Sequence, residues 1–131
     1  MTKKKIVWVE DDEDIISILK PRFTQEGWEL FTVPTAKEGM DLARNICPDL
    51  IIMDIIMPGE HGYAAIEDFK EVPALARIPI IVFSGVMHRW TETTATRYDG
   101  LLSKADVFVD KSEKTDVLFD TIRNYLYADT T

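Results

Sequence analysis

Five short segments of the chain are apolar at nearly every position. They are residues 6–9, 30–33, 50–53, 80–83 and 107–109. A continuous apolar run is typical of a strand covered on both faces, whereas a half-exposed strand alternates apolar and polar residues. We therefore predict five strands in a parallel sheet.

The segments between these runs have the spacing of helices. Apolar residues four apart define one helix face in two segments, at Ile15, Leu19 and Phe23 and at Leu118, Ile122 and Leu126. Thr35 and Glu38 have the spacing of a capping box that begins a third helix. Residues 64–72 supply a fourth. Pro21 predicts a kink or an early end of the first helix, because proline lacks a donor and its ring clashes with the preceding turn.

Residues 86–104 contain four threonines, which are poor helix formers, but the alternation of strands and helices predicts a fifth helix within them. Elsewhere strands and helices alternate with short loops. This alternation predicts a doubly wound α/β fold with right-handed crossovers and helices on both faces of the sheet.

Length and charge narrow the class of protein. The 131 residues, 46% hydrophobic, suit a single domain over residues 1–131. The net charge of −8 argues against direct binding to nucleic acid or anionic lipid. No apolar run approaches the roughly 20 residues of a membrane span, and no signal peptide opens the chain, so we expect a cytoplasmic protein. The single Cys47 cannot pair within the chain, and we expect it to be partly buried and unreactive.

Polar residues follow four of the five predicted strands. Glu10 and Asp11 follow the first, Asp54 the third, Ser84 the fourth, and Lys111 comes just after the fifth. In an open parallel sheet, ligands bind beyond the carboxyl ends of the strands. We expect these side chains to share one site.

The expected proximity of Glu10, Asp11 and Asp54 indicates that a cation binds between them. Two like charges about 5 Å apart in an effective dielectric of about 20 repel by about 3 kcal/mol. A site with few carboxylate ligands suits Mg²⁺, which keeps several waters. Residues 11–14 could instead only stabilise a helix N-terminus, where acidic side chains interact favourably with the helix dipole. That explanation does not account for Asp54, which follows a separate buried strand.

Ser84 and Lys111 also have ordinary explanations, as a helix N-cap and as a solvated lysine. A hydroxyl and an ammonium group that face a carboxylate-bound cation, however, are the groups that phosphoryl transfer requires, because they stabilise its spread negative charge.

The chain resembles the receiver domains of two-component response regulators over nearly its whole length. The resemblance depends on Glu10-Asp11 after the first strand, on residues 54–59 (Asp-Ile-Ile-Met-Pro-Gly) with Gly62 beyond, on Ser84-Gly85 and on Lys111. It implies a flavodoxin-like sheet with strand order 2-1-3-4-5.

The resemblance also implies roles. Asp54 would be the phosphoacceptor, and Lys111 and Ser84 would hold the phosphoryl oxygens. Asp11, Asp54 and the backbone carbonyl of Ile56 would bind Mg²⁺, with Glu10 acting through a bound water.

By the same resemblance, the donor is a histidine kinase or phosphotransfer protein. Inward movement of Ser84 and rotation of Phe108 would switch the face formed by the fourth and fifth strands and the helices that follow them. That face would control a downstream protein or a fused output domain, and self-association would use it as well. The domain would not be an enzyme with a separate substrate.

Three departures from the family pattern matter. Ser112 follows Lys111 where the family has a proline in a cis peptide, which leaves the local geometry open. Phe108 lacks the hydroxyl of the tyrosine common at that position. Ile56 and Val86, which flank the path of the hydrolytic water in this family, cannot orient water, so we expect slow self-dephosphorylation.

Two other classes compete. A pseudo-receiver would use the fold as an unphosphorylated interaction module, in keeping with Phe108 and Ser112. A flavodoxin-like cofactor binder needs a loop that binds phosphate, and the acidic residues 10–13 would repel phosphate. A Mg²⁺-dependent phosphohydrolase commonly carries its nucleophile on the first strand, not on the third as here.

His61 and His88 are isolated, and we expect both to be surface residues.

Overall fold

The computed structural model describes residues 3–54, 56–57, 60–85 and 105–128. Five strands form one parallel sheet in the order β2-β1-β3-β4-β5. They are β1 (Lys5–Val9), β2 (Glu29–Val33), β3 (Leu50–Met53), β4 (Ile80–Ser84) and β5 (Val107–Asp110). The five predicted strands and their order are confirmed.

Four helices pack on the sheet within the described residues: α1 (Glu13–Gln25), α2 (Ala36–Ile46), α3 (Gly62–Glu71) and α4 (Thr115–Leu126). α1 and α4 cover one face, and α2 and α3 cover the other. α3 begins two residues before the predicted start and ends one residue before the predicted end. The helix predicted within residues 86–104 lies outside the part of the chain that the structure describes. None of the described helices is long and apolar enough to cross a membrane.

The three inner strands, β1, β3 and β4, are buried on both faces, which explains their continuous apolar runs, whereas β2 and β5 at the sides of the sheet are only partly buried. In β1, Val7 and Val9 pack beneath α2 and α3, and Ile6 and Trp8 pack beneath α1 and α4. All four are fully buried. The same division is repeated in β3 and β4. A strand with no solvent-facing side has no position for a polar residue until it reaches the edge of the sheet.

Two helices begin at side-chain caps. Asp12 Oδ1 accepts hydrogen bonds from the backbone N–H groups of Asp14 and Ile15, and thereby caps α1. Thr35 Oγ1 accepts one from the Glu38 N–H at 3.1 Å, as the predicted capping box requires. Both caps fix the point where the chain leaves the sheet edge.

The predicted early end of α1 at Pro21 is wrong, because the helix continues to Gln25. Pro21 cannot donate to the carbonyl of Ser17, but both residues are exposed, so water can satisfy that carbonyl. Leu19 and Phe23, on either side of the proline, are buried against the sheet. Their packing holds the helix together where local propensity disfavours it.

Cys47 is exposed, so the expectation that it is partly buried is wrong. It ends α2 in the left-handed conformation, with φ of 47°. This reversal of the chain turns Cys47 outward and buries the next residue, Pro48, instead.

A short antiparallel hairpin that the sequence did not predict follows β3. Ile56–Met57 pairs with Glu60–His61 immediately before α3. It lies just beyond Asp54, at the edge of the sheet where the candidate site is found.

Candidate functional site

The polar residues that end four strands meet at one edge of the sheet, because backbone hydrogen bonds continue past the strands. The Glu10 N–H donates to the Val33 carbonyl at 2.9 Å, and the Asp54 N–H donates to the Val9 carbonyl at 3.1 Å. The Lys111 N–H donates to the Ser84 carbonyl at 3.0 Å. The backbone of each residue is therefore fixed by a neighbouring strand before its side chain makes any contact.

Asp54 lies at the centre of this group. Its Oδ1 accepts a hydrogen bond of 2.9 Å from Ser84 Oγ, and its Oδ2 accepts one of 2.9 Å from Lys111 Nζ. Asp54 is only 5% exposed. Both carboxylate oxygens thus contact groups that can also bind phosphoryl oxygens.

Lys111 links Asp54 to a second acid. Its Nζ lies 2.8 Å from Glu10 Oε1 as well as 2.9 Å from Asp54 Oδ2. Burial alone would lower the pKa of Lys111, but the contacts with the two carboxylates raise it above its usual value. The lysine is therefore firmly protonated.

Glu10 is almost completely buried, and its Oε2 accepts a hydrogen bond of 3.2 Å from the Asp12 N–H. Burial raises the pKa of Glu10 from the usual 4.5 to about 7, against the opposing effect of Lys111. The negative charge of Asp54 adds to the rise. Since burial makes the ionised form of Glu10 unfavourable, a cation bound beside it would stabilise that ionised form.

Glu10, Asp11 and Asp54 form an acidic cluster that could hold a metal ion. One carboxylate oxygen from each lies within 4.8 Å of the others. Opposite ligands of Mg²⁺, each about 2.1 Å from the ion, are about 4.2 Å apart, so small side-chain shifts would let these oxygens share one ion. Asp11 is exposed and opens the cluster to solvent. The donors therefore fit a hard cation, whereas Asp12 serves as the cap of α1.

Other predicted site residues are described only in part. Phe108 is half-buried and packs on the apolar cluster beneath α2 and α3. Only the backbone is described at Ile56 and His61, and both Val86 and His88 lie outside the described residues. The peptide bond between Lys111 and Ser112 is trans, since no cis peptide occurs in the described segments.

Two features of the site were not predicted. One is the direct ion pair between Lys111 and Glu10. The other is the turn after β5, in which Asp110 Oδ1 accepts a hydrogen bond of 2.8 Å from the Ser112 N–H. An Asp two residues before the donor is a recognisable turn signal, and it could have been found in the sequence.

Residues 6–123 match the response regulator receiver domain family. Response regulator PleD of Caulobacter vibrioides is 28% identical over 120 residues, which are 92% of this chain and 25% of PleD. The phosphate regulon transcriptional regulatory protein PhoB of Rhizobium meliloti is 30% identical over 122 residues, which are 93% of this chain and 52% of PhoB. The chain thus spans about a quarter of one relative and about half of the other.

Solved structures show the same similarity. The signal receiver domain of a signal transduction histidine kinase from Syntrophus aciditrophicus has a TM-score of 0.84 and 28% identity, covering 98% of this chain and 94% of that one. Response regulator TrrA of Thermotoga maritima, in complex with Mg²⁺-BeF, has a TM-score of 0.79 and 28% identity, covering 94% of this chain and 99% of that one. Both similarities extend over nearly all of the sheet and its helices.

Proposed function

Because this chain belongs to the family of response regulator receiver domains, we propose that Asp54 accepts a phosphoryl group from the phosphohistidine of a histidine kinase or phosphotransfer protein. The observation that carries the proposal is the arrangement around the buried Asp54 carboxylate. One oxygen contacts the Ser84 hydroxyl, the other contacts the Lys111 ammonium, and two further acids lie beside it.

In the proposed reaction, an oxygen of the ionised Asp54 carboxylate attacks phosphorus in line with the phosphorus–nitrogen bond. That bond breaks, and the imidazole leaves with the electron pair and takes up a proton from solvent. The product is an aspartyl phosphate, a mixed anhydride. The protein contributes position and charge, which supply most of the catalysis in phosphoryl transfer.

Ser84 and Lys111 would change partners during this step. Both now contact the carboxylate of Asp54, at 2.9 Å each. Once phosphorus is bound to that carboxylate, the hydroxyl and the ammonium group are placed to bind phosphoryl oxygens, where the negative charge is spread. Since Ser84 already lies inward against Asp54, the switch that we propose is the transfer of its hydrogen bond to a phosphoryl oxygen, together with rotation of Phe108.

The residues that would hold Mg²⁺ are Asp11, Asp54 and the backbone carbonyl of Ile56, with Glu10 acting through a bound water. When bound there, the ion supplies neutralisation of charge on the transferring group. The acidic cluster and its fit to a hard cation support this assignment. The complex of the similar TrrA with Mg²⁺-BeF supports it too.

The signal would pass to other proteins through the face to which β4, β5 and α4 contribute. We propose that this face binds a downstream protein or a fused output domain in the cytoplasm, and that any homodimer also uses it. PleD and PhoB are longer than this chain, which supports a role as one module of a regulatory system. The module has no separate substrate to turn over.

Incubation with phosphoramidate, which carries a phosphorus–nitrogen bond, tests this function. We expect one phosphoryl group per chain in the presence of Mg²⁺ and none when EDTA removes it. Hydroxylamine should then release the group, since it cleaves acyl phosphates. A wild-type protein that remains unmodified under these conditions would favour the pseudo-receiver, an unphosphorylated interaction module.

A further inference from the structure

The chain turns sharply where Lys111 leaves the sheet, and Asp110 closes that turn. The Ser112 N–H donates to Asp110 Oδ1 at 2.8 Å, and the Glu113 N–H donates to the Asp110 carbonyl at 3.0 Å. The Lys111 N–H already bonds to the carbonyl of Ser84 at 3.0 Å. Three successive backbone N–H groups are therefore fixed around the lysine.

Lys111 depends on such a fixed backbone. Its long side chain must bring one nitrogen within 2.8 Å of Glu10 and 2.9 Å of Asp54, on two other strands. A flexible side chain with several rotatable bonds keeps such a position only if its Cα is held. A shift of about 1 Å in a group that positions reacting atoms can cost roughly 100-fold in rate.

The hydrogen bond to Asp110 requires a backbone N–H at position 112, which serine has. A proline at position 112 would have no N–H to donate. Serine supplies that N–H, and the Lys111–Ser112 peptide is trans. Asp and Asn are the residues whose side chains accept such a bond from the backbone two positions on.

We propose that Asp110 is a positioning residue for phosphoryl transfer: through its bond to the Ser112 N–H, it sets the turn that keeps Lys111 within reach of Asp54. This inference rests on the proposed function. Asp110 acts through the lysine and does not touch the reacting group. Within the described residues, the ion pairs of Lys111 are with Glu10 and Asp54, so Asp110 influences the lysine through the backbone of the turn and not by pairing with its ammonium group.

Two substitutions of Asp110 distinguish the effect of the turn from the effect of the negative charge. Asp110→Asn removes the charge but keeps an acceptor at the same distance from the backbone, whereas Asp110→Glu keeps the charge and moves the acceptor one methylene away. With phosphoramidate and saturating Mg²⁺, we expect the asparagine variant to react within about threefold of the wild-type rate. The glutamate variant should react roughly tenfold to 100-fold more slowly. Mg²⁺ affinity should stay within about twofold in both, since the acidic cluster is untouched.

A double substitution tests whether Asp110 acts through Lys111. The variant Lys111→Ala/Asp110→Glu should be no slower than Lys111→Ala alone, because residues that act as a unit are not additive. A general structural effect would slow the double variant further, and that result would overturn the proposal.

The other outcomes are equally decisive. A glutamate variant as fast as wild type, or an asparagine variant as slow as the glutamate variant, would refute the role of the turn while leaving the proposed function intact. A wild-type protein that takes up no phosphoryl group would refute the proposed function and, with it, the role of Asp110.

Discussion

Lys111 Nζ lies 2.9 Å from Asp54 Oδ2 while it also contacts Glu10 Oε1 at 2.8 Å. One lysine on the edge of β5 thus offsets two buried acids that end β1 and β3. Because removal of the lysine leaves two buried acids without a counter-charge, the stability of this edge and its chemistry depend on the same residue.

Substitution Lys111→Ala should lower the free energy of unfolding of the protein by about 2 kcal/mol, the cost of leaving two buried acids without their hydrogen-bond partner. The pKa of Glu10, already about 7, should rise further because the lysine lowers it. Urea unfolding followed by tryptophan fluorescence measures the first effect. Lys114→Ala is the matched control, since that lysine is exposed. Equal stability of the two variants would show that the ion pairs contribute nothing.

Asp11→Asn should weaken Mg²⁺ binding at least about tenfold, because one of three candidate carboxylates is lost. The free energy of unfolding should change by no more than about 0.5 kcal/mol, since Asp11 is exposed. Isothermal titration with MgCl₂ measures the affinity. Asp12→Asn removes the same charge one residue away and still caps α1, so its affinity should remain near that of wild type. If both variants bind equally well, Asp11 is not a ligand.

The fold could be predicted from the sequence because burial of apolar segments and the direction of parallel strands determine its main features. Apolar runs such as residues 50–53 can only be buried on both faces, and parallel strands bring their carboxyl ends to one edge. That rule alone brings Glu10, Asp54 and Ser84 together.

Other features depend on tertiary packing or on very short segments. The continuation of α1 through Pro21 needs the buried Leu19 and Phe23, whose packing a local pattern does not show. The hairpin after β3 has strands of two residues, too short for any period to appear. The ion pair between Lys111 and Glu10 depends on side-chain conformations that only the packed edge selects.

The contact between Glu26 and Arg123 should make stability depend on pH. Its hydrogen bonds lower the pKa of Glu26 below the usual 4.5. The unfolded state therefore takes up the proton first, so the contribution is present above about pH 4.5 and is lost as pH falls through the folded pKa.

Unfolding in urea at a series of pH values checks this dependence. The stability difference between wild type and Glu26→Gln should shrink as the solution is acidified, and it should also shrink in high salt because the pair is partly exposed. A difference that stays constant with both pH and salt would mean that the ion pair does not contribute.

The aspartyl phosphate should be long-lived, with a half-life of minutes or more. Ile56 and Val86 are apolar and cannot orient a hydrolytic water. After removal of the phosphodonor, the fraction of phosphorylated chain can be followed by mass spectrometry. Ile56→Asn should shorten the half-life, whereas a half-life of seconds in wild type would contradict the prediction.

The proposed function requires phosphorylation of the Asp54 carboxylate. The intact mass of wild type and of Asp54→Asn, measured after incubation with a small phosphodonor and Mg²⁺, shows whether this reaction occurs. The proposed function predicts one added phosphoryl group in wild type and none in the variant, which keeps the shape of the side chain but loses the nucleophilic oxygen. An unmodified wild type, or equal modification of both proteins, would contradict it.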